Sequence, residues 1–115
     1  MEALTKIKTN WNHEELKAYT LIYCMNADVK VIDKEVETIL SSVNESIYEK
    51  MVEEFSKDND FESIQKISNT VKDLNYTKDQ IQSLFDEIRK VFYADNELSI
   101  MERNIALGLK RVLGF

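Results

Sequence analysis

An all-α fold is predicted by three features of this 115-residue chain. It has no proline, its two glycines (Gly108 and Gly114) lie near the C-terminus, and its apolar residues recur at helical spacing. A sheet protein needs turn residues at regular intervals, and this chain has almost none. With 43% apolar residues it is long enough to bury a core. The expected architecture is a compact single-domain bundle of about six helices, built from two related helix–loop–helix halves. Residues 1–10 read as an N-terminal extension and 11–115 as the helical domain.

The first helix is announced by Asn12-His13-Glu14-Glu15, a capping box in which Asn12 accepts from an orphan amide and Glu15 reaches back. It is expected to run to about Ala27, with Trp11 packed as a staple against Leu16 or its neighbours. The stretch Ala18-Tyr19-Thr20-Leu21-Ile22-Tyr23-Cys24-Met25 is apolar on nearly every side, so this helix is placed centrally. Cys24, the single cysteine, reads as a buried small hydrophobe and has no partner for an intramolecular disulfide.

A second helix is expected from Asp33, carrying Val36, Ile39, Leu40 and Val43. Ser41-Ser42 marks a break, because short hydroxyl side chains compete for backbone hydrogen bonds. The third, roughly Asn44 to Ser56, shows Ile47, Met51, Val52 and Phe55 at helical spacing. Asp60 is assigned as the cap of a fourth helix with the stripe Phe61, Ile64, Ile67, Val71 and Leu74, ended by a left-handed Asn75. Thr77-Lys78-Asp79-Gln80 is a second capping box, opening a fifth helix that carries Ile81, Leu84, Phe85, Ile88, Val91 and Phe92. Ser99 caps a sixth, with Ile105, Leu109, Val112 and Leu113 on its apolar face.

The net charge of −6 and the scattered placement of single lysines argue against nucleic-acid binding, which depends on neutralising phosphates. No apolar run approaches the roughly 20 residues that span a bilayer, and Met1 to Lys6 shows no signal pattern. The expectations are a cytoplasmic protein, no membrane insertion, and a possible protein partner with the oligomeric state open. One histidine supports no nucleophilic triad, and glycine-rich phosphate loops are absent from the sequence, so enzymatic activity is not expected. His13 with Cys24 is too little for zinc. Asp58-Asn59-Asp60-Phe61-Glu62 imitates the start of an EF-hand loop, but Ser63 and Asn69 occupy the places that require Gly and Glu.

The chemistry-bearing pattern is a repeated acidic corner. Ala27-Asp28-Val29-Lys30-Val31-Ile32-Asp33-Lys34-Glu35 aligns without a gap on Ala94-Asp95-Asn96-Glu97-Leu98-Ser99-Ile100-Met101-Glu102. In each copy an Ala-Asp pair closes an apolar helix and a Glu opens the next, so supersecondary units repeat. Asp28 and Asp95 sit where carbonyl dipoles disfavour a carboxylate. Two readings explain that repeated choice. In one, each Asp steadies its corner and each Glu suits a helix start. In the other, Asp28, Glu35, Asp95 and Glu102 converge on a hard divalent cation, calcium before magnesium or manganese, since such ions take oxygen ligands. A metal-free interaction module with an acidic or aromatic groove is the alternative.

These corners resemble the TerB-like (tellurite-resistance protein B) family, whose pattern is an apolar helix ending in Ala-Asp-Gly, a small aliphatic residue, then a Glu. Residues 94–102 match well and 27–35 more loosely, with Val29 and Asn96 where the family favours Gly. The resemblance extends over roughly Trp11 to Phe115. It implies an all-helical domain of two related halves, an acidic cluster proposed to bind metal, and a stress-response or tellurite-resistance context without a known reaction.

Overall fold

Five helices pack around one another in the computed structural model, which describes residues 8–26, 33–92 and 107–111 (for Asp33 and Phe92, the backbone only). They are α1 (His13–Met25), α2 (Asp33–Leu40), α3 (Glu45–Ser56), α4 (Asp60–Asp73) and α5 (Lys78–Phe92), and residues 107–111 are helical as well. Among the described residues there is no strand, and no helix is long and apolar enough to cross a membrane. The sixth-helix cap at Ser99, together with Ile105, Val112 and Leu113, lies outside the described residues.

Helix α1 is the axis of the bundle and touches α2, α3, α4 and α5. Its residues from Ala18 to Met25 are all buried, Cys24 among them, so its sides are covered by neighbours rather than by water. Ile39 and Val43 from the α2 end, Met51 from α3, Ile67 and Val71 from α4, and Leu84, Ile88 and Val91 from α5 complete the core. Leu109 joins them at 1% exposure. Each fully buried apolar side chain of this size contributes about 1.5–3 kcal/mol relative to exposure, so the faces that close on α1 carry most of the fold's stability.

Local signals set most helix ends. Both halves of the Asn12–Glu15 capping box are formed, and α1 stops at Met25 where the Asn26 side chain donates to Ile22 O at 2.8 Å. Asn44 caps α3 by accepting from Ser46 N at 2.8 Å. Thr77 and Gln80 make the reciprocal bonds that open α5. Asn75 has φ 55°, the left-handed conformation that terminates α4.

Two expectations are corrected. The cap of α4 is Asn59, not Asp60: Asn59 accepts from Glu62 N at 2.8 Å while Glu62 accepts from Asn59 N at 2.9 Å. That leaves Asp60 as the first helical residue and frees its carboxylate for another partner. Phe61, read as part of the buried stripe, is 67% exposed, and α4 instead buries Ser63, Ser68, Asn69 and Thr70. Trp11 is buried, and its ring centroid lies 4.5 Å from that of Tyr19, one turn beyond Leu16. Ahead of Trp11, half-buried Thr9 is hydrogen-bonded through its hydroxyl to that of Thr70.

Candidate functional site

Of the four carboxylates expected to converge, Asp28, Asp95 and Glu102 lie outside the described residues. Glu35 is described: it is the third residue of α2 and only 2% exposed. A glutamate in a helix's first turn favours the macrodipole from the surface, as Glu14 does on α1. Glu35 instead turns into the protein, where it is engaged with another group. A carboxylate stripped of water requires hydrogen bonds, a cation or its proton. Among the described residues no group of three or more His, Cys, Asp or Glu side chains is arranged to hold a metal ion.

Described residues form a groove of about 620 Å³ between the first turns of α1 and α5, closed at one side by Ser42 and Tyr76. His13 and Tyr76 form its aromatic wall, their rings stacked at 5.0 Å with an interplanar angle of 21°. The capping boxes of α1 and α5 place these walls, because each fixes where its helix begins and which side chains stand in the first turn. Glu14, Asp79 and Glu87 supply carboxylates and Lys17 an ammonium. Glu14 Oε2 accepts from Asn44 N at 3.0 Å, which fixes it at the rim, and Glu87 Oε2 accepts from Lys90 Nζ at 3.2 Å. Burial of Tyr76 raises its phenol above the usual value, so the hydroxyl stays a neutral donor.

A second set of polar side chains, around the α3–α4 corner, is spent on structure. The Tyr19 hydroxyl donates to Asp58 Oδ2 at 2.5 Å and is hydrogen-bonded to Ser63 Oγ at 2.9 Å. Tyr23, one turn further on α1, donates to Asp60 Oδ1 at 2.9 Å. Lys66 Nζ donates to both Asp58 oxygens, at 3.0 and 2.8 Å, and to Glu54 Oε2 at 2.9 Å, while Trp11 Nε1 donates to Glu54 Oε1 at 3.3 Å. Phe55 meets both tyrosine rings edge-on. Burial and the Asp58 hydrogen bond push the Tyr19 phenol up, and burial and Asp60 do the same for Tyr23. Burial works to lower the Lys66 ammonium's pKa, and the Asp58 and Glu54 carboxylates outweigh it, leaving the pKa raised. The EF-hand mimic at 58–62 is thus a tether for α1. The beginnings of a calcium loop are instead committed to Lys66 and two phenols.

An aromatic groove needs exposed rings, and the tyrosines differ in that respect. Tyr19 is fully buried, whereas Tyr48 and Tyr76 are half-buried. His13 is exposed, as expected for a first-turn residue, but its stacking on Tyr76 was not visible from the chain. No protein-family model matches this chain, and comparison with curated proteins and with solved structures finds no significant match.

Proposed function

We propose that this chain is a non-enzymatic, TerB-like binding domain whose repeated acidic corners, through Asp28, Glu35, Asp95 and Glu102, hold a divalent cation, calcium before magnesium or manganese. A cytoplasmic stress-response or tellurite-resistance setting accompanies that reading. The observation that carries it is the burial of Glu35. A glutamate that a helix start would keep in water lies at 2% exposure beside the first corner. It also has a partner, as metal-ligating carboxylates usually do beyond their metal. The sequence repeat supplies the other three ligands in equivalent positions.

The test is a thermal melt in calcium and in chelator. At a hundredfold excess over the dissociation constant, linkage adds about 2.7 kcal/mol, or roughly 11 °C for a domain of this length. The Asp28→Asn/Asp95→Asn double variant is expected to lose that shift. An unchanged wild-type melt, or an equal shift in the double variant, rejects the cation.

A second reading is favoured by a different observation. The His13–Tyr76 groove joins a stacked ring pair to three carboxylates in one concavity, a combination suited to receiving part of a partner protein. On that reading the domain is a metal-free interaction module.

A further inference from the structure

We propose that the groove between α1 and α5 docks an arginine side chain from a basic segment of a partner protein, with the guanidinium against the His13–Tyr76 rings and paired to Asp79 and Glu87. The proposal deepens the interaction-module reading and rests on it. Four features of the groove select this occupant.

Its size fits first. At about 620 Å³ the concavity holds a long side chain with the backbone on either side of it. Its charge fits second: the lining holds three carboxylates, Glu14, Asp79 and Glu87, and one ammonium, Lys17, with Lys90 paired to Glu87 from outside the lining, on a chain of net charge −6. A cationic segment is drawn in and an acidic one repelled.

The third feature separates the three carboxylates. Glu14 is bonded to the Asn44 amide and Glu87 to Lys90, whose side chain is 64% exposed and able to swing away. Asp79 makes no side-chain hydrogen bond or ion pair among the described residues. Gln80 and Thr77 already close the α5 start, so Asp79 is not needed there as a cap. It remains available to a ligand.

The fourth feature is the ring pair, and it distinguishes arginine from lysine. A guanidinium is planar, weakly hydrated, and able to lie on an aromatic face while its edge donates to carboxylates. An ammonium is a compact, strongly hydrated charge that gains less from the rings. The α5 amino terminus opposes any cation nearby, which makes the ring contact and the two acids necessary together.

The experiment maps amide chemical shifts of the full chain during titration with three capped peptides: alternating Gly-Arg, alternating Gly-Lys and alternating Gly-Gln, of equal length. The arginine peptide is expected to saturate, with shifts at residues 13–17 and 76–87, and to bind at least fivefold more tightly than the lysine peptide. Asp79→Asn/Glu87→Gln is expected to weaken it about tenfold. These are exposed or half-exposed positions outside the core, and the variant's melt serves as the folding control. Equal affinity for the arginine and lysine peptides, an unaffected double variant, or shifts confined elsewhere overturns the arginine assignment. Groove shifts with the glutamine peptide alone overturn it too, while leaving the interaction module standing. No groove shift with any peptide up to about 5 mM rejects both.

Discussion

Replacing Tyr19 with phenylalanine takes one oxygen from the middle of the bundle and leaves the packing in place. The ring keeps Trp11 at 4.5 Å and Phe55 at 5.8 Å. The lost hydroxyl is the donor to Asp58 Oδ2 and the partner of Ser63 Oγ. A hydrogen bond to a charged group contributes about 1.5–3 kcal/mol. Asp58 retains Lys66 on both oxygens, which holds its share to the lower part of that range. Ser63, at 1% exposure, loses Tyr19 and adds the cost of a buried hydroxyl, on the order of 1 kcal/mol. The expected loss is therefore about 2–3 kcal/mol. For 115 residues the unfolding entropy is roughly 0.24 kcal/mol/K, so Tm falls by about 8–12 °C.

Tyr23→Phe is the internal control. It removes one hydrogen bond, to an exposed Asp60, and is expected to cost about 1 kcal/mol, or ~4 °C. Urea unfolding at neutral pH, read by circular dichroism, measures both, with unchanged m-values showing that the native and unfolded ensembles are intact. A Tyr19→Phe variant within about 0.5 kcal/mol of wild type, or less damaged than Tyr23→Phe, would refute the assignment of the α3–α4 corner as a tether.

Two further outcomes follow from local geometry. Lys50 and then the Asn12 amide hold Glu15 below its usual value of 4.5, against burial. A carboxylate with a depressed folded pKa stabilises above the unfolded value and loses that contribution as pH falls through the folded one. Glu15→Gln, which preserves the capping box, is therefore expected to melt below wild type at neutral pH, with the gap closing once the pH drops well under 4.5. A gap independent of pH would point to packing instead. At Asn75, φ 55° makes the choice of residue matter: Asn75→Gly is expected to be neutral or slightly stabilising, and Asn75→Ala to cost about 1 kcal/mol in the same urea titration.

Helix starts and stops were legible because their causes are local. Asn12 with Glu15, Thr77 with Gln80, and Asn75 each act within a few residues, and all behave as the sequence suggests. The α4 cap was misread by one residue although the signal was present: Glu62 stands three after Asn59, which favours Asn59 over Asp60. Phe61 was drawn into the apolar stripe by spacing alone, and spacing does not reveal which neighbours cover a first turn. The polar burial on α4 was hidden for the same reason. Ser63 is satisfied by Tyr19, 44 positions away, a pairing that no local window contains. The candidate sites divide likewise. The acidic repeat is legible as a pattern, with only Glu35 inside the described residues. The groove depends on His13 meeting Tyr76 across the bundle.

The placement of α1 has a consequence for how the chain comes into being. Among the described helices the most apolar one precedes all of its covering partners along the chain, and one of them, α5, begins only at Lys78. Until α5, and Leu109 beyond it, emerge from the ribosome, a nascent chain carries Leu21, Ile22 and Met25 with no complete shelter, and such transient surface invites aggregation or chaperone capture. The price of a central helix that precedes its partners is thus a vulnerable interval during translation, ended only when α5 and Leu109 have docked.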